Sequence, residues 1–148
     1  MYFVDKDLLE KRLQYFEMLM EELSLLSRPE DHTHKLALQR ISHMMIETVM
    51  DVGNQLIDAF VMRDPGGYGD IIDILVDERV ISSDNGQSLH VLLPWRKALL
   101  HDYIALDNEQ LYEAFRKESR TLRHFPAKVR RYIEEEQGPV SAFLPEKE

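Results

Sequence analysis

The stretch from Thr33 to Met62 constrains this chain more than any other. Leu38, Ile41, Met45, Thr48, Val52, Leu56 and Phe60 recur at intervals of three and four, and Met44, Ile46, Val49 and Ile57 widen the stripe. That spacing predicts a helix. A helix apolar around most of its circumference must be enclosed by other elements. One polar line interrupts it: His43, Glu47, Asp51, Asn54 and Asp58. Such a line either faces solvent or serves a site, where a carboxylate could hold an arginine or orient an imidazole. His43 and Glu47 are also spaced for two metal ligands, but no third ligand is evident, so no metal site is expected.

The neighbouring segments also read as helices. Leu9, Leu13, Phe16, Met20 and Leu23 place one apolar stripe on a helix over residues 6–26, ended by Arg28-Pro29-Glu30-Asp31. Arg63-Asp64-Pro65-Gly66-Gly67-Tyr68 is a turn by composition. A short helix is expected from Asp70 to Val80. Asp84 with Gln87 suggests a capping box for a fourth helix from Asn85, kinked at Pro94. Asp107 with Gln110 suggests another, opening a fifth helix to His124, which Pro126 restarts or bends into a last stretch to Gln137. The expected architecture is all-α, a bundle of four to five helices in one domain over residues 1–137, with a C-terminal tail over 138–148.

With 148 residues, the chain can bury a core of its own. It has no cysteine, which excludes a disulfide framework, thiolate metal ligands and a thiol nucleophile. No apolar run reaches the roughly 18 residues of a membrane span, and no signal peptide is indicated, so a cytoplasmic protein without membrane association is expected. No cofactor motif is present.

The segment Pro94-Trp95-Arg96-Lys97-Ala98-Leu99-Leu100-His101-Asp102-Tyr103 brings chemistry into this bundle. Arg96 and Tyr103 share a helix face, whereas Arg96 and His101 lie about 140° apart on a straight helix. Convergence of that pair on one target needs a distorted helix or a second copy of the chain. Arginine with histidine suits cleavage of a phosphodiester. Histidine moves protons near neutral pH, and arginine binds phosphate bidentately and stabilises its developing charge. In RNA the 2′-hydroxyl can act as nucleophile. Trp95 is expected in the core or at an interface, although it could stack on a base.

Arg96, then four residues, then His101-Asp102-Tyr103 matches an R-x4-H-x-Y motif, and the chain resembles the HepT-like proteins of the HEPN family. The segment from Leu38 to Asp58, the stretch from Met62 to Glu78 and the closing Gly138–Phe143 extend the resemblance over nearly the whole chain. It implies a homodimeric helical bundle in which the motifs of two protomers line a cleft at the interface. It further implies a metal-independent RNA endonuclease, the toxin of a toxin–antitoxin pair. Arg96 and His101 would be the catalytic pair. Tyr103 would receive AMP from a cognate minimal nucleotidyltransferase, the antitoxin, or touch substrate. Lys97, Glu47, Asp51 and Asn54 are candidate supporting residues. Lys97 departs from the Asn, Asp or His common after the family's arginine, and Pro94 is an unusual predecessor. The alternative is a non-catalytic HEPN dimer that binds a nucleotide or a partner protein.

Charge bears on the substrate. From Arg116 to Arg131 there are seven cations and one carboxylate, a net of +6, so the rest of a chain of formal charge −9 carries −15. Arg116, Arg120 and Arg123 share a helix face and are candidate contacts for an RNA backbone.

Overall fold

The computed structural model describes residues 5–136, and every regular element among them is helical. In chain order these are α1 (Lys6–Leu25), α2 (His32–Ala59), α3 (Tyr68–Asp77), α4 (Ser83–Leu92), α5 (Trp95–His101), a single 3-10 turn (Tyr103–Ala105), α6 (Asn108–Leu122) and α7 (Phe125–Glu136). The five expected helices are present. The fourth is divided into α4 and α5, and the fifth into α6 and α7. The expected tail over 138–148 lies outside the described residues.

Helix α2 is the axis of the bundle, packed against α1, α3, α5 and α6. Leu38, Met45, Val49, Val52 and Leu56 are buried on it. They meet Leu9, Leu13, Phe16, Leu19 and Leu23 of α1 and Phe115 of α6 in one core. In α1, Leu19 is fully buried where the stripe predicts Met20, which is half-buried. The Gln55 side chain donates to the Asp5 carbonyl at 3.3 Å, so α1 and α2 run antiparallel.

Local signals explain where the helices end. Helix α2 stops at Ala59, earlier than the expected Met62. Val61 takes a left-handed φ of 52°, and the Met62 N–H returns to the Ile57 carbonyl at 3.0 Å. Helix α3 starts two residues before the expected Asp70. It ends the same way, with Arg79 at φ 61° and the Val80 N–H on the Leu75 carbonyl. These are Schellman endings, a geometry usually given to glycine.

The cap of α4 is not the expected Asp84–Gln87 pair. Ser82 is the N-cap, and Asn85 closes the reciprocal bond. Asn85 prevails because it is buried and its side-chain amide also donates to the Thr121 carbonyl, tying α4 to α6. Asp107 caps α6 by accepting from the Gln110 N–H at 3.0 Å.

Pro94 breaks the fourth helix outright. Proline offers no N–H, and its ring collides with the carbonyl four residues back. After it the Arg96 N–H bonds the Leu93 carbonyl, and α5 restarts as seven residues with none fully buried.

Close packing sets α3 against α2. A Cβ added at Gly53 would lie 2.5 Å from Ile71 Cγ2 and 3.5 Å from Leu75 Cδ1. Gly53→Ala should therefore destabilise the protein by about 1–2 kcal/mol, because overpacking outweighs the gain in helix propensity. Urea unfolding would check this, and a more stable variant would contradict the packing argument.

Candidate active site

The polar line on α2 is divided by what packs over it. Gln39, His43 and Glu47 are half-buried, whereas Asp51, Asn54 and Asp58 are exposed. Segment 93–108 provides the cover. Gln39 donates to Asn108 Oδ1 at 2.8 Å, at the start of α6. Glu47 Oε1 accepts from Arg96 Nε at 2.5 Å, and their side chains retain only 23% and 27% of their full exposure. The same oxygen lies 3.4 Å from His43 Nε2. Of the candidate carboxylates, Glu47 alone holds the arginine. Among the described residues no third His, Asp or Glu joins this pair in a group able to hold a metal ion.

A fourth side chain completes the environment of Arg96. The ring of Tyr68, the first residue of α3, lies across the guanidinium, with Cζ 4.4 Å from the ring centroid. This is a cation–π contact. Sequence reasoning placed Tyr68 in a turn and gave it no role. The signal was the Gly66-Gly67-Tyr68-Gly69-Asp70 stretch, in which a carboxylate fixes the turn that presents the ring. Asp70 Oδ2 accepts from the Gly66 N–H at 2.8 Å, and Arg63 Nη1 reaches both Asp70 oxygens at 2.9 and 2.8 Å.

His101 and Tyr103 stand apart from this cluster. His101 closes α5 and is exposed, and Tyr103 follows in the 3-10 turn at 62% exposure, next to Ile104 at 92%. No hydrogen bond or ion pair joins Arg96 to His101 within the chain. Five residues of α5 separate them by about 7.5 Å along the axis and about 140° around it. Lys97 is exposed and Trp95 is half-buried against the core. The chain therefore offers a recessed arginine, an exposed histidine and an exposed tyrosine beside the exposed Ile104.

The basic segment is used in two ways. Arg130 bonds Glu10 and Glu17 on α1, and Arg131 pairs with Glu135. Those Arg130 contacts hold its guanidinium firmly charged and tie α7 to α1. Arg116 and Arg123 line a groove of about 570 Å³ against α1, together with Glu17 and Glu21, and Arg120 is exposed on the same helix. No residue of α5 lines that groove, so these arginines do not share a cavity with the motif.

Residues 9–129 match the family described as Ribonuclease HepT-like. The chain is also 44% identical over 143 residues to the Bacillus subtilis (strain 168) protein named "Putative RNase YutE", covering 97% of this chain and 99% of that one.

The chain belongs to the HepT-like ribonuclease family.

The solved structure of YutE from Bacillus subtilis, described as a cytosolic protein of unknown function, superposes with a TM-score of 0.84 at 45% identity, over 97% of this chain and 100% of that one. A second solved chain, from a crystal structure described as a toxin–antitoxin with AMP-PNP, shares the HepT-like fold. Its TM-score is 0.77 at 12% identity, over 85% of this chain and 99% of that one. No helix among the described residues is long and apolar enough to cross a membrane.

The Asp70 carboxyl sits below its ordinary value of 3.8, chiefly through the Arg63 side-chain bonds and then through the Gly66 N–H. A carboxyl lowered by folding stabilises the protein above its unfolded-state value and loses that contribution as pH falls through its folded-state value. Asp70→Asn should therefore melt below the wild type at pH 7, and the gap should close as pH falls below about 4. A gap that persists at pH 2 would contradict this role for the carboxylate.

Proposed function

We propose that this protein is the ribonuclease toxin of a toxin–antitoxin pair and cuts RNA as a homodimer without a metal ion. The observation that carries the reading is the state of Arg96. Its Nε–H is committed to Glu47, while among the described residues no hydrogen bond or ion pair engages its two Nη groups. Those groups form the fork that binds a phosphate through two parallel hydrogen bonds. Helix α5, in which no residue is fully buried, with the exposed Tyr103 and Ile104 beyond it, supports a dimer: a second copy would cover this surface and bring two motifs face to face.

In this reading Arg96 grips the scissile phosphate and stabilises the charge gained in the transition state. His101 of one protomer takes the proton from the 2′-hydroxyl, whose oxygen forms a bond to phosphorus. The bond from phosphorus to the 5′-oxygen breaks, and that oxygen takes a proton from the partner's His101. The products are a 2′,3′-cyclic phosphate and a 5′-hydroxyl. Lys97 is near enough in sequence to add positive charge at the phosphate, and Arg116, Arg120 and Arg123 would hold flanking RNA on another face. Asp51 and Asn54, exposed beyond Glu47, would act only on bound RNA. The exposed Tyr103 hydroxyl is open to AMP transfer by a nucleotidyltransferase antitoxin, and an adenylate there would block the cleft by bulk and charge.

The test uses purified, unmodified protein and single-stranded RNA in excess EDTA. The wild type should cut, and Arg96→Ala and His101→Ala should each lower the rate by about 100-fold or more. Intact mass after co-expression with a cognate minimal nucleotidyltransferase should show AMP-sized increments that Tyr103→Phe abolishes. A clean wild type that binds RNA or nucleotide without cutting would replace this reading with the non-catalytic dimer.

A further inference from the structure

The R-x4-H-x-Y motif does not explain why residues 62–70 are built as they are. Two bonds to the Asp70 carboxylate restrain the shape of this loop: one from Arg63 and one from the Gly66 N–H. Arg63 Nη2 also reaches Asp77 at 3.3 Å, about two helical turns beyond Asp70. The Gly67 carbonyl accepts from the Ile71 N–H at 3.2 Å, which begins α3. Gly53 then lets α3 lie flush on α2. The outcome is one exposed aromatic, Tyr68 at 44% exposure, placed against the guanidinium of Arg96. Core packing does not account for this residue, because it keeps nearly half of its exposure.

We propose that Tyr68 is a positioning residue for Arg96, acting together with Glu47. This rests on the function proposed above. A guanidinium is a plane with two faces and an edge of donors. Glu47 fixes one edge through Nε, which leaves the group free to swing about that bond. Tyr68 occupies one face and removes the swing. The two Nη groups then stay aimed in one direction, as a rigid fork for a phosphate. Pre-orientation of this kind acts on the transition state more than on ground-state binding, because the charge to be met develops during the reaction. The tyrosine hydroxyl has no part in it; the ring face does.

The experiment compares Tyr68→Phe, Tyr68→Leu and Tyr68→Ala in the full-length chain on a fluorescent single-stranded RNA, with melting temperatures recorded for each. Tyr68→Phe should keep kcat within twofold of the wild type. Tyr68→Leu, which keeps bulk but loses the π face, and Tyr68→Ala should each lose about tenfold or more in kcat, with KM changed less than threefold. Loss of activity in Tyr68→Phe equal to that in Tyr68→Ala would overturn the proposal, as would a Tyr68→Ala enzyme within twofold of wild type. A wild type that cuts no RNA would defeat the proposed function alone. The positioning would then be read from the Arg96 Nε–Hε resonance, assigned with Arg96→Lys. Wild type and Tyr68→Phe should share a ring-shifted, sharp signal that moves and broadens in Tyr68→Leu. An unchanged signal in Tyr68→Leu would overturn the inference.

Discussion

Everything in this fold depends on the enclosure of α2. A helix of 28 residues with twelve of them buried has to be surrounded, and α1, α3, α5 and α6 do so. The one polar line it carries then becomes valuable. Where the cover is complete, that line would have to be satisfied from above; where the cover is absent, it faces water. Segment 93–108 covers half of it. The covered half is where Glu47 meets Arg96, so the site exists because the enclosing layer brings its own cation to a carboxylate that packing had already half-buried.

The strength of that pair lies between two familiar limits. Exposed ion pairs contribute about 0–1 kcal/mol, and breaking a fully buried one costs about 3–5 kcal/mol. Glu47 and Arg96 each keep about a quarter of their side-chain exposure, so the pair belongs between those values and nearer the lower. Its main consequence is orientation. A guanidinium held through Nε by a carboxylate and along one face by an aromatic ring keeps its outward donors in a fixed direction. His43, on the same Glu47 oxygen, adds a third group to the network.

Much of this was legible in the sequence. The spacing of apolar residues marked every helical segment but not the breaks that divide the last two, because burial imposes a 3.6-residue period on any enclosed helix. The polar line on α2 was visible as a line, but periodicity could not say which of its members would be covered. Glu47, Asp51 and Asn54 are equivalent by spacing and differ only in what lies above them. The break at Pro94 was half visible: proline signals a fault, and only the packing of α5 decides between a kink and a restart. The turn that presents Tyr68 was legible, but its contact with Arg96 was not. Its partner is 28 positions away, and the contact depends on the close approach at Gly53 and on a turn shaped by Asp70. The cap at Ser82 was missed for a related reason, since Asn85 is selected by its long-range bond to Thr121.

The division of labour on α5 follows from its shortness. Seven residues between a proline and a 3-10 turn leave Arg96 anchored inward while His101, Tyr103 and Ile104 are exposed. The central claim is that these groups cleave RNA through its own 2′-hydroxyl. The most direct measurement is the chemistry of the product ends, read by mass spectrometry after digestion of a defined RNA in EDTA. The account requires 2′,3′-cyclic phosphate and 5′-hydroxyl ends, with no cleavage where a 2′-deoxynucleotide stands at the scissile position. Ends bearing 5′-phosphate and 3′-hydroxyl, or cutting at the deoxy position, would contradict it.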